Sequence, residues 1–275
     1  MSISGRSHLY RALVALIGAV AIGTGTVGDA PSTYWRCEVA PPAIAANVRG
    51  RLLILPGVGN TRFHLAGFVA RAAQQLPSFD VEVRPWGTAF LTMRNLRAYE
   101  RNVATAERIA AEIADWRRAH PTEPFYLVGY SGGGGIATLV VAALPADVSV
   151  DRLILVAPAI APDYPFALNA LPHVREFAVN YASERDLQVG WGTLTFGTID
   201  RKNTLSAGAI GFASTDPRLL QYRWTRADEP FGHRGNHLAY LNPRWQAAKL
   251  LPALHPDVGP QDLVARWAKV CEEPS

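Results

Sequence analysis

The stretch Phe125-Tyr126-Leu127-Val128-Gly129-Tyr130-Ser131-Gly132-Gly133-Gly134-Gly135-Ile136-Ala137-Thr138-Leu139-Val140-Val141 decides how the rest of the chain is read. It passes from a short apolar run, through glycines clustered on one serine, into a second apolar segment that ends at Leu144-Pro145. The first run has strand length and the second has helix length, so the spacing predicts a strand, a sharp turn and a helix. On such a turn, Cβ atoms two positions either side of Ser131 would collide with backbone, and Gly129 and Gly133 of this G-x-S-x-G pattern carry none. The helix that follows would direct free N–H groups and its positive dipole end at negative charge forming beside the serine. A phosphate-cradling loop is the rival reading of the glycines, but they lead into Ile136 and Ala137, without the Lys and Ser/Thr that such a loop needs.

Working outward, five more apolar runs have the length of buried strands: Leu52 to Leu55, Val81 to Val83, Leu153 to Val156, Phe177 to Tyr181 and Leu219 to Trp224. They alternate with segments of helical period, which predicts an α/β fold with a mostly parallel sheet and helices on both faces. Ala106, Ile109, Ile113 and Trp116 recur at three and four, with Glu107, Arg108, Glu112 and Asp115 on the other side, and this helix should stop near His120-Pro121. Another helix is expected from Phe63 to Leu76. Residues 190–215 show neither period and read as a long excursion at the mouth of a site.

Composition narrows the function classes. With 275 residues, 49% hydrophobic and a formal charge of +4, the chain can bury one sizeable core, and it has no basic run of the kind that tracks nucleic acid. Arg6 and Arg11 precede an apolar stretch from Ala12 to about Val27, so residues 1–30 read as a signal peptide cut after Ala30, or as an N-terminal membrane anchor. Glycines at 18, 23, 25 and 28 argue against a core helix there. Residues 31–275 form the folded domain, exported to the periplasm or beyond, with membrane contact only through the N-terminal segment. Cys37 and Cys271, the two cysteines, are expected either to pair in an oxidising compartment or to stay as thiols.

Pro56-Gly57-Val58-Gly59 after the first strand resembles the oxyanion loop of the α/β-hydrolase superfamily, and Leu127 to Gly133 resembles its nucleophile elbow. Pro56 stands where many members carry a histidine. The resemblance implies a serine hydrolase with Ser131 as nucleophile and the backbone N–H groups of Val58 and Gly132 as oxyanion hole. It implies an acid just past the Phe177 to Tyr181 strand, where Asp186 fits and Glu184 is the runner-up. It implies a histidine after the last strand, where Gly232-His233-Arg234-Gly235-Asn236-His237 offers two. Of these the resemblance favours His237, because members commonly place this histidine shortly before a proline that opens the last helix, and His237 lies nearer than His233 to Asn242-Pro243, leaving His233 as an exposed residue at the outer rim. A metal pair is disfavoured by the glycines between the histidines. His64, His120 and His173 are expected to be structural or exposed.

Too few residues precede the first strand to hold the two leading strands of many members, so the fold should be a reduced one without a large cap. Trp86, Phe90, Trp191 and Phe196 are candidates for an apolar acyl pocket, each equally readable as core. The implied activity is hydrolysis of a small-molecule or lipid-like carboxylic ester through an acyl-enzyme, with no metal or organic cofactor. A thioesterase or peptidase on the same residues, and a catalytically silent binding protein on the same scaffold, are the alternatives. A dinucleotide-binding turn at Gly57-Val58-Gly59 lacks its third glycine, Arg62 standing in that place.

Overall fold

A computed structural model describes residues 49–268. The expectations for residues 1–30, Cys37 and Cys271 lie outside the described residues.

Six strands, β1 (Gly50–Leu55), β2 (Phe79–Val83), β3 (Phe125–Tyr130), β4 (Val150–Val156), β5 (Val174–Ala182) and β6 (Leu219–Arg223), form one sheet in the order β2-β1-β3-β4-β5-β6. Every neighbouring pair is parallel. Parallel strands need crossovers that cover the sheet, so both faces of the central strands are buried and their sequences are apolar without alternation. Leu52 to Leu55 and the whole of β3 are buried accordingly. The main helices are α1 (Ala66–Gln75), α2 (Thr92–Arg97), α3 (Tyr99–Ala119), α4 (Gly132–Ala142), α5 (Leu187–Phe196) and α6 (Pro260–Ala268). Six parallel strands joined through helices give the α/β architecture that the sequence predicts.

Of the elements that extend beyond their sequence signal, two do so for an evident physical reason. Strand β4 begins three residues before Leu153, at Val150, because the charges of Asp151 and Arg152 find partners. Buried Asp151 accepts from the Phe125 N–H at 2.7 Å and pairs with Arg175 at 3.1 Å. Arg152 lies over the rings of Tyr126 and Phe177 and donates to the carbonyls of Ala253 and His255, tying the C-terminal segment to the sheet. The second is a correction: the stretch read as an irregular excursion from 190 holds helix α5. Gly190, Gly192, Thr193 and Thr195 obscure its period, yet Asp186 caps it by accepting from the Val189 N–H at 3.0 Å. Gly197 ends it with φ +87°.

After β1 the chain crosses to one side, to β2, and after β3 it crosses to the other. Between the carboxyl ends of β1 and β3 the sheet therefore opens a crevice at a topological switch point. The Pro56–Gly59 loop leaves β1 there and Ser131 leaves β3 there.

Candidate active site

Ser131 sits at φ 56°, ψ −122°, outside the regions favoured by an L-residue. The turn is held by its Val156 carbonyl, which accepts from the Ser131 N–H at 2.8 Å, and by Ala159, which donates to the Ser131 carbonyl at 3.0 Å. A Cβ at Gly133 would strike the carbonyl oxygens of Leu55 and Pro56, and one at Gly129 would strike the backbone of Gly133 and Gly134. The elbow thus presses directly on the end of β1.

That closeness brings the two expected oxyanion donors together. A Cβ on Gly132 would lie 3.2 Å from the Val58 nitrogen and would collide with a Val58 methyl group. The carbonyls of the loop are engaged in succession. Pro56 accepts from Trp86 Nε1 at 2.7 Å, Gly57 from the Asn60 N–H at 2.8 Å, Val58 from Asn95 Nδ2 at 2.8 Å and Gly59 from the Phe90 N–H at 2.9 Å. Asn60, at φ 50°, uses its Oδ1 to accept from the N–H groups of Trp86 and Gly87. With its peptide planes held this way, the loop leaves the N–H groups of Val58 and Gly132 without a protein acceptor among the described residues. Paired backbone donors of this kind are what a developing oxyanion requires.

Asp186 and His237 meet: Nδ1 of the imidazole lies 2.6 Å from Oδ2 of the carboxylate, and both side chains are buried. The other carboxylate oxygen is the cap of α5, so one side chain orients both the helix and the histidine. Tyr130, the residue before Ser131, connects the elbow to this pair. Its hydroxyl donates to the His237 carbonyl at 2.9 Å and its ring stacks on the imidazole at 4.9 Å. Burial and the neighbouring Asp186 carboxylate push the Tyr130 phenol well above its ordinary pKa, so it remains a donor. Ser183 joins the acid and histidine turns, donating to the Gly235 carbonyl at 2.7 Å. Tyr130, Asn60, Asn95 and Ser183 escaped sequence reasoning because each acts through a partner distant in the chain.

The remaining candidates fall elsewhere. Glu184 is exposed and faces Arg223 at 3.6 Å. His233 is not the rim residue expected: it is fully buried, its ring lies against Tyr240 and Trp245, and its Nδ1 accepts from the Gly235 N–H at 3.0 Å. Burial pulls its pKa down to about 3, which keeps it neutral. It shapes the loop that presents His237. His64 contacts Thr61, His120 stacks on Trp116 and His173 contacts the Val148 carbonyl, all away from Ser131. The four aromatic pocket candidates divide: Trp86 is buried under the elbow, Phe196 is half-buried beneath Arg97, and Phe90 and Trp191 stand in solvent. Among the described residues no cluster of three His, Cys, Asp or Glu could hold a metal ion.

Residues 94–206, less than half of the chain, match the Hydrolase_4 family, described as serine aminopeptidase, S33. That span includes Ser131 and Asp186. No curated protein matches. Similar solved structures include a protein described as a CIB-like hydrolase from Thermoplasma acidophilum, 16% identical over 73% of this chain and 83% of that one, with a TM-score of 0.41. A dienelactone hydrolase from Anabaena variabilis is 20% identical over 78% and 96% of the two chains, with a TM-score of 0.43. An acetylxylan esterase is 11% identical over 77% and 99%, with a TM-score of 0.44.

Proposed function

We propose, from the premise that this chain is an α/β-hydrolase by its fold and its family match over residues 94–206, that it cleaves carboxylic esters through an acyl-enzyme on Ser131. The observation that carries the reading is the buried contact of His237 with Asp186, joined to the elbow through Tyr130. In this mechanism Nε2 of His237 takes the proton of the Ser131 hydroxyl as Oγ attacks the ester carbonyl carbon. The carbonyl oxygen becomes an oxyanion between the N–H groups of Val58 and Gly132. Collapse expels the alcohol, which receives the proton from His237. Water, deprotonated by His237, then attacks the acyl-enzyme and releases the acid. Asp186 holds the Nδ1–H tautomer and stabilises the imidazolium.

The family's description favours a second reading, cleavage of a peptide from its amino end. An aminopeptidase must hold an α-ammonium group, which calls for a carboxylate free to pair with it. Here both oxygens of Asp186 are engaged, and Glu184 and Glu229 face Arg223 and Arg185. The surroundings therefore support the ester. Nitrophenyl esters of increasing chain length, run beside amino-acid nitroanilides, separate the two: ester turnover that Ser131→Ala abolishes is expected, and nitroanilide turnover alone would reverse the choice. Export through residues 1–30 belongs to the same proposal and is tested by fractionating cells that express the full chain.

A further inference from the structure

Helix α5 is apolar on both sides. Val189, Gly190 and Thr193 are buried, while Leu187, Trp191 and Leu194, spaced by four and three, share the opposite face and are exposed, Trp191 by 64%. The helix follows Asp186, and it touches both α2 on the β2 side and the His237–Leu241 turn on the β6 side. It therefore lies across the carboxyl edge of the sheet, the edge from which Ser131 leaves β3. Phe90 and Leu91, in the segment leaving β2, and Leu238, next to His237, are exposed in segments leaving the same edge. Of the ten large hydrophobic side chains exposed among the described residues, these six belong to that one edge. A concentration of this kind marks a surface that meets something apolar.

The charge around these six residues is one-sided. Helix α2 carries Arg94 and Arg97 and no acid, and a shallow cleft of about 340 Å3 opens between Met93, Arg94, Arg97 and Ala98. Arg62, beyond the oxyanion loop, and Arg234, in the histidine loop, are exposed on the same edge. None of these four arginines forms an ion pair among the described residues, whereas the exposed acids Glu184 and Glu229 are both paired. Two copies meeting through this face would oppose arginine to arginine. An apolar centre with unpaired arginines at its border suits a layer with acyl chains inside and anionic groups at its surface.

We propose that this face docks on an anionic lipid surface, with Leu187, Trp191 and Leu194 among the acyl chains and Arg62, Arg94, Arg97 and Arg234 on the headgroup phosphates. Docking needs no catalysis. The consequence that Ser131 meets its ester at that surface rests on the proposed esterase activity.

The test uses the full chain and follows tryptophan emission on vesicles of brominated phosphatidylcholine with roughly one part in four of phosphatidylglycerol. Bromine in the acyl region should quench wild-type emission, and Trp191→Phe should remove that quenching although it retains the N-terminal segment. Arg94→Ala with Arg97→Ala should weaken vesicle binding about 25-fold, roughly fivefold for each charge removed near the surface. Equal quenching in wild type and Trp191→Phe would overturn the proposal. So would equal binding to vesicles without phosphatidylglycerol, or a dimer in solution that Trp191→Glu dissociates while vesicles fail to bind. Ser131→Ala should dock like wild type. Quenching at Trp191 in a chain that hydrolyses no ester would defeat the esterase assignment and leave the docking standing, while ester hydrolysis without quenching would do the reverse.

Discussion

Asn95 offers a way to weaken the proposed oxyanion hole without touching it. Its side chain is fully buried and uses all its hydrogen-bonding capacity: Nδ2 donates to the carbonyls of Val58 and Thr88 at 2.8 and 2.6 Å, and Oδ1 accepts from the Thr88 N–H and from Arg101 Nη1, both at 3.0 Å. Asn95→Asp keeps the shape and both accepted bonds, with a stronger pairing to Arg101, and turns the two donated bonds into oxygen facing oxygen. Two buried carbonyl oxygens left facing oxygen, at about 1–3 kcal/mol each, correspond to a fall in Tm of at least roughly 4–8 °C for a chain of this size. The catalytic effect is bounded above by outright loss of one oxyanion donor, about 100- to 1000-fold in kcat. Because Trp86 and Asn60 still hold the loop on either side, a fall of about 10- to 100-fold is expected, with KM within about twofold. The assay is hydrolysis of a nitrophenyl ester well below the variant's Tm, at about pH 8. Affinity for a boronic acid that mimics the tetrahedral state should fall in parallel with kcat. A Tm lowered as expected with kcat unchanged would show that the Val58 peptide needs no help from Asn95.

Ser131→Ala and His237→Ala should each lower kcat by several orders of magnitude, and the double variant should be little worse than either, which kinetics on one ester at one pH will check. Tyr130→Phe removes the donor to the His237 carbonyl but keeps the stacked ring, so kcat should drop about tenfold while Tm falls by only a few degrees, read by kinetics and calorimetry together. His233 contributes a pH dependence to stability. Its folded pKa of about 3 lies below the ordinary value of 6.5, so the unfolded chain binds more protons between those limits, and stability is lost as pH falls from about 6.5 towards 3. The slope from this group approaches about 1.4 kcal/mol per pH unit, and denaturant titration of His233→Asn, which can still accept from Gly235, should show a shallower decline.

The six strands were legible because a parallel sheet covered on both faces writes itself as uninterrupted apolar runs, and the elbow was legible because Gly129 and Gly133 are sterically compelled. The start of β4 was not, since Asp151 and Arg152 read as solvated until Arg175 and the C-terminal carbonyls are placed beside them. Helix α5 was hidden by glycines and threonines whose weak propensity is offset by a capping carboxylate together with the burial of Val189 and Thr193. The preference for His237 used Asn242-Pro243, and Asn242 does cap the turn there, accepting from the Arg244 N–H at 2.9 Å. Nothing local marked His233 as buried, because the rings that enclose it, Tyr240 and Trp245, follow it by seven and twelve residues in a segment without a period.

The abutment of Gly133 on the carbonyls of Leu55 and Pro56 makes the proposed oxyanion hole a property of strand alignment. Val58 and Gly132 lie far apart in the chain, and their separation in space is set by the pairing of Leu55 with Gly129 in the β1–β3 ladder. A side chain exchanged deep in either strand, remote from any substrate, would reach the chemistry by sliding one donor past the other. On the proposed mechanism, turnover would register a displacement along the middle of the sheet.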